Sequence, residues 1–286
     1  MKPWPAPAKV NLFLHVTGRR ADGYHTLQTV FQFLDYGDTL EFFVTDDGRI
    51  ARSISLPGVP EDHDLTLRAA RLLQDTAAVQ KGVQIHLTKR IPAGGGLGGG
   101  SSDAATTLLA LNELWDTQLS VPDLAALGLT LGADVPVFIH GHAAWGEGIG
   151  EILTPIEPPE AWYLVVVPPV AVSTARVFAD LELTRFSPTL TIRDFREGHG
   201  LGNDLEPLVR SRYPQVDRAM RWLSGFGAAR MSGSGGCVFL KLADADRGRQ
   251  ILESIPPPFT GFVARGLNRH PLNERGDRSH WGVAKR

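Results

Sequence analysis

Residues 94–100 read Gly-Gly-Gly-Leu-Gly-Gly-Gly, six glycines in seven positions. Glycine loses more backbone freedom on ordering than any other residue, so an ordered run of this kind needs a reason. Upstream, Val83, Ile85 and Leu87 alternate as a strand does; downstream, Leu108, Leu109, Leu111 and Leu114 recur at helical spacing. The run is therefore expected at a strand-to-helix turn. A helix start presents unpaired N–H groups and the positive end of its dipole, and a backbone without Cβ atoms lets an anion approach them. The stretch Pro92-Ala93-Gly94-Gly95-Gly96-Leu97-Gly98-Gly99-Gly100-Ser101-Ser102, with Asp103 opening the helix, is thus the candidate polyphosphate cradle. It is not a Walker A loop, because Gly100-Ser101-Ser102 stands where Gly-Lys-Ser/Thr is required. The G-x-G-x-x-G match at Gly94, Gly96 and Gly99 is nearly automatic in so glycine-dense a run. A flexible linker is disfavoured by the tight brackets of strand and apolar helix.

Around this loop the pattern mixes strands and helices without a strict βαβ rhythm, so the fold class expected is α+β. Strands are predicted over residues 9–16, 25–34, 39–44, 83–87, 163–167, 238–242 and around Phe262, with Asp35-Tyr36-Gly37-Asp38 as a turn. Helices are predicted over residues 64–78 with Asp64 as N-cap, from Ser102 onward, and over 121–131, 204–213, 215–223 and 245–254. Residues 135–139 read as a buried segment. The proline-rich break at 155–159 divides the chain into domains at 1–155 and 156–272, with a polar tail at 273–286.

An apolar fraction of 43% suffices for a core, and a net charge of −2 gives no pull toward nucleic acid or anionic membrane. The basic tail (Arg269, Arg275, Arg278, Lys285, Arg286) is too sparse in aromatics for nucleic-acid binding. Cys237 is the single cysteine, so no intramolecular disulfide forms. The start lacks a secretory apolar segment, and no apolar run approaches the ~20 residues of a membrane span. A cytoplasmic location is expected. His140-Gly141-His142 lacks further ligands at zinc spacing.

Three stretches in order resemble the three motifs of the galactokinase–homoserine kinase–mevalonate kinase–phosphomevalonate kinase (GHMP) superfamily. They are Pro7-Ala8-Lys9-Val10-Asn11-Leu12, the glycine loop, and Arg230-Met231-Ser232-Gly233-Ser234-Gly235-Gly236-Cys237-Val238. Residues 8–38, 129–138 and 145–151 further resemble the branch that acts on a cytidine diphosphate-linked methylerythritol. Arg20-Ala21-Asp22-Gly23-Tyr24-His25 is a signature that homoserine and mevalonate kinases lack. The likeness spans residues 4–272 and implies the GHMP kinase fold: two α/β sandwich-like domains with the active site in the cleft between them. It implies an ATP-dependent kinase whose loop wraps the ATP phosphates, with Mg2+ as helper and a small-molecule alcohol as acceptor. A mevalonate- or homoserine-type acceptor, or a non-catalytic nucleotide sensor on the same fold, remains the alternative.

The same resemblance implies roles for particular residues. Lys9 and Asp134 would sit at the acceptor hydroxyl, with Asp134, expected to be buried among apolar neighbours, as general base or orienting group. Asn11 would hydrogen-bond the substrate. Tyr24 and His25 would form the cytidine pocket, with Phe178 on the opposite face of the base. Asp64 departs from the asparagine often found near the adenine. Asp103, where relatives also carry asparagine, either caps the helix or helps hold magnesium. Metal ligands and oligomeric state are not fixed by the sequence.

Overall fold

The computed structural model describes residues 3–274 except 55, 57, 181, 184 and 185. Its strands and helices follow in chain order. The first half comprises β1 (Trp4–Arg19), β2 (His25–Thr45), β3 (Ile50–Arg52), α1 (Leu65–Thr76), β4 (Gly82–Thr88), α2 (Gly99–Leu114), α3 (Val121–Leu131), α4 (Val135–His140), β5 (Ala144–Glu147) and β6 (Ile152–Pro155). The second comprises β7 (Trp162–Val167), α5 (Thr174–Ala179), α6 (Ile192–Glu197), α7 (Glu206–Arg212), α8 (Pro214–Ser224), β8 (Ala229–Met231), β9 (Val238–Leu242), α9 (Ala245–Glu253) and β10 (Thr260–Leu267), closed by a 3-10 turn at Pro271–Glu274. The remainder of the predicted tail, 275–286, lies outside the described residues.

Hydrogen bonds run along the path β3-β4-β2-β10-β7-β9-β8, with β1 and β5 also paired to β2 and β6 to β5. Every pairing is antiparallel except β3 with β4. Helices α1 to α4 pack on the first part of this sheet around Phe33, Leu40, Leu73 and Leu108. Helices α7, α8 and α9 pack on the second around Leu164, Val216, Leu223 and Leu240. Between them, Val10, Phe13, Tyr163 and Phe239 form a third cluster.

Two local expectations are corrected. Residues 35–38 are not a turn: β2 runs straight through them. A Cβ at Gly37 would lie 2.4 Å from the Ala6 carbonyl oxygen, so the glycine admits a neighbouring strand. Asp38 accepts from the N–H groups of Arg90 (2.5 Å) and Ile91 (2.8 Å) rather than from a turn of its own. Likewise β1 is buried on both faces, with Lys9 and Asn11 as enclosed as Val10 and Leu12. One face meets the core and the other meets a cavity wall, so the strict in–out alternation of a half-buried strand does not apply. Asp64 does cap α1, accepting from the N–H groups of Thr66 (2.9 Å) and Leu67 (3.4 Å). Helix α2 starts at Gly99, ahead of Ser102, behind a left-handed Gly98 (φ 72°).

Candidate active site

The glycine loop leaves β4 and turns into α2. Gly94, Gly96 and Gly98 all have φ between +64° and +73°, which L side chains rarely adopt. Space reinforces the requirement. A Cβ on Gly96 would sit 2.1 Å from the Ser232 carbonyl oxygen, and one on Gly98 would press on Phe138 (3.0 Å) and the Lys9 stem (3.1 Å). The first internal bond of α2 runs from Ser102 N to Gly98 O at 2.8 Å. That leaves the N–H groups of Gly99, Gly100 and Ser101 without an intrahelical acceptor. Residues 92–101 line a cavity of about 550 Å3; Ser102 does not, its side chain being fully buried beneath the loop.

Lys9 and Asn11 line the same cavity from β1, and Asp134 lines it from the start of α4. Lys9 Nζ lies 3.1 Å from Asp134 Oδ2, donates to Asn11 Oδ1 at 2.6 Å, and stands 5.4 Å from the centroid of the Phe31 ring. Asn11 Nδ2 in turn donates to Thr29 Oγ1 (2.9 Å), whose hydroxyl donates to the Phe13 carbonyl (2.5 Å). The ammonium is therefore held in one place. Asp134 corrects an expectation: its side chain is 35% exposed toward the cavity rather than buried among apolar neighbours, and it makes no cap bond to α4.

The third glycine turn closes this arrangement. Ser232 donates its hydroxyl to Gly96 O (2.9 Å) and accepts from Asn11 N (3.3 Å), tying loop and strand together. Asn203, which sequence reasoning passed over, holds that turn by donating to the carbonyls of Met231 (2.9 Å) and Gly233 (2.8 Å). Lys89 was passed over too. It lies on the cavity wall, bonded to Asp38 and to Asp103 Oδ2 (2.8 Å), while Asp103 Oδ1 is buried without a partner. Burial pushes the Asp103 carboxyl up to about 7, the Lys89 ammonium pulling against it and the neighbouring Asp38 carboxylate adding to it. For Lys89, burial pulls the ammonium down but Asp103 and Asp38 outweigh it and raise it. Both residues sat beside the loop in sequence, but only the fold brings Asp38 to them.

Among the expected substrate residues, Asn11 and Phe178 reach the cavity. His25 is buried and stacks on Phe178, with centroids 5.4 Å apart and planes at 28°. Tyr24 is not brought to the cavity; it lies 62% exposed on the Arg20–Tyr24 turn. Asp64 also lines the cavity, but its carboxylate is taken up by the α1 cap and by Arg52.

A glycine loop at a helix start, without a lysine of its own and lining one cavity with a lysine–carboxylate pair, is the arrangement of a GHMP-type phosphotransferase. Residues 64–142 match the GHMP kinases N terminal domain and residues 185–258 the GHMP kinases C terminal domain. The chain is 59% identical over 269 residues to the 4-diphosphocytidyl-2-C-methyl-D-erythritol kinase of Thiobacillus denitrificans, covering 94% of this chain and 96% of that protein. A crystal structure of a 4-(cytidine 5'-diphospho)-2C-methyl-D-erythritol kinase superposes with TM-score 0.81 at 34% identity, over 93% of this chain and 99% of that one. A mevalonate kinase, at TM-score 0.66 and 18% identity over 94% of this chain and all of that one, shares the fold. The chain belongs to the family of 4-diphosphocytidyl-2-C-methyl-D-erythritol kinases.

Proposed function

We propose that this chain transfers the γ-phosphoryl group of ATP to the tertiary 2-hydroxyl of 4-diphosphocytidyl-2-C-methyl-D-erythritol, giving the 2-phosphate and ADP in non-mevalonate isoprenoid synthesis. The observation that carries the reading is the Lys9–Asp134 pair, 3.1 Å apart, on the wall of the cavity that the glycine loop also lines. Phosphoryl transfer asks mainly for positioning and charge stabilisation. The loop N–H groups would hold the polyphosphate, and Lys9, fixed by Asn11 and Phe31, would neutralise charge developing on the transferred group. The acceptor oxygen forms the new P–O bond as the bond to the ADP oxygen breaks. Its proton passes to Asp134, whose exposed edge faces the cavity.

Among the described residues, no three His, Cys, Asp or Glu side chains gather as a metal cluster. Magnesium does not need one, since it takes one or two carboxylates with water and phosphate oxygens. Bound with the phosphates, magnesium would supply charge neutralisation there. Phe178 and His25 would offer the cytosine an aromatic face, and Asn11 a hydrogen bond. Tyr24 would join them only if its turn folds inward. The cleft reading goes with two lobes, 1–155 and 156–272. No helix among the described residues is long and apolar enough to cross a membrane, which is compatible with a cytoplasmic enzyme.

An ADP-release assay with the cytidylated substrate, mevalonate, homoserine and galactose tests the reading. Turnover of the first alone is expected. Turnover of one of the others, with none of the first, would overturn it.

A further inference from the structure

The part of the sheet formed by β8, β9 and β7 buries one face under α7, α8 and α9. Side chains alternate along a strand, so the opposite face carries Arg230, Phe239, Lys241 and Tyr163, paired Arg230 with Phe239 and Tyr163 with Lys241. Against that face lies a second cavity of about 850 Å3, walled by Leu12, Ile156, Phe195, Leu201 and Phe226. It shares no lining residue with the loop cavity. Its volume is in the range of small-molecule sites, and its walls have the apolar character of such sites.

Its charges are one-sided. Arg196, Arg230 and Lys241 line it against a single carboxylate, Glu157, although the whole chain carries a net charge of −2. None of the three cations makes an ion pair among the described residues. Arg230 is the telling one. It is half-buried, and burial pulls its guanidinium below the ordinary value. It gives one N–H to the Leu12 carbonyl at 2.8 Å, and its other donors meet no described acceptor. Glu206 acts on it only at a distance, and a partly desolvated guanidinium with no carboxylate in contact favours the approach of a negatively charged group. Its planar fork suits a phosphate, which it can hold through two parallel bonds.

We propose that this second cavity binds an amphipathic phosphate monoester, its apolar body against Phe195, Leu201 and Phe226 and its headgroup on Arg230, with Lys241 and Arg196 adding charge. The position is not remote from the loop. Arg230 bridges β8 to Leu12, and two residues further on Ser232 holds both Asn11 and Gly96.

The test is calorimetric titration of octyl phosphate into the full chain, with a non-hydrolysable ATP analogue and cytidine diphosphate present in excess to fill the loop cavity. Saturable binding at one site per chain is expected, with octanol, octanoate, inorganic phosphate and octyltrimethylammonium each at least about tenfold weaker, since neither a charge-assisted fork nor apolar burial acts alone. Arg230→Met should weaken binding by about tenfold or more. Ala228→Trp, at an exposed position on the cavity rim, should abolish it by filling the space, and it serves should Arg230→Met fail to fold. Absence of saturable binding, equal affinity in wild type and the folded variants, or equally tight binding of octyltrimethylammonium would overturn the proposal.

Discussion

Gly96→Ala isolates what the loop geometry contributes. The residue stands at φ 73°, where an alanine is strained by about 1–2 kcal/mol. Its Cβ would lie 2.1 Å from the Ser232 carbonyl oxygen, a backbone atom, so loop and third turn must move apart. That separation also breaks the 2.9 Å bond from Ser232 Oγ to Gly96 O, a further loss of about 0.5–1.5 kcal/mol. The sum is about 1.5–3.5 kcal/mol, or a fall in melting temperature of about 2–6 °C in a chain of this size. Gly198→Ala is the matched comparison: φ is 82°, but nothing lies within 4 Å of its added Cβ, so only the strain remains. Thermal melts of both variants, with ADP release measured over a range of ATP concentrations, read the difference. Gly96→Ala should melt lower than Gly198→Ala and raise KM for ATP by about tenfold or more, as displaced N–H donors release the phosphates. Equal melting temperatures together with an unchanged KM for ATP would refute the reasoning.

Two further outcomes follow from other parts of the site. Asp103 holds its proton to about 7 when folded, against 3.8 as the ordinary value, so stability from this group is complete below about pH 4 and lost as pH rises through about 7. Chemical denaturation at pH 5 and pH 8 should show Asp103→Asn gaining on wild type at the higher pH, and a parallel pH dependence in both proteins would contradict the assignment. Phe178→Ala should raise KM for the cytidylated acceptor by about 5- to 150-fold, since stacking on a base is worth about 1–3 kcal/mol. KM for ATP should stay within about twofold, and an equal rise in both would remove Phe178 from the acceptor pocket.

The sequence made the helices most legible where apolar spacing and a cap agreed. Residues 121–131 form α3 over the expected span, with Ser120 and Asp123 in a capping box. Strands β7 and β9 were legible as short apolar runs. Elements decided by distant contacts were not. Asp35-Tyr36-Gly37-Asp38 has turn composition, yet Gly37 is there for close approach of β1 and Asp38 for the backbone of Arg90 and Ile91. Strands β5 and β6, of four residues each, carry too little periodicity to read. The same holds for the six-residue helices α5 and α6. In the site, the glycine loop was visible because its chemistry is local, whereas Lys9 and Asp134 were singled out only through the family resemblance. The roles of Lys89, Ser232 and Asn203 were not legible, because each acts on segments tens to hundreds of residues away. Tyr24 illustrates the converse, a residue singled out by its motif that stands exposed on a turn.

The most direct measurement is single-turnover phosphoryl transfer by Lys9→Met and Asp134→Asn, with ATP-analogue affinity determined on the same samples. Both side chains line the cavity as a pair 3.1 Å apart, and neither is among the residues that form the loop. Each variant should lose about 10²–10⁴ in rate while its affinity for the analogue stays within about threefold. A near-normal rate in either variant, with the fold and nucleotide affinity intact, would contradict the account.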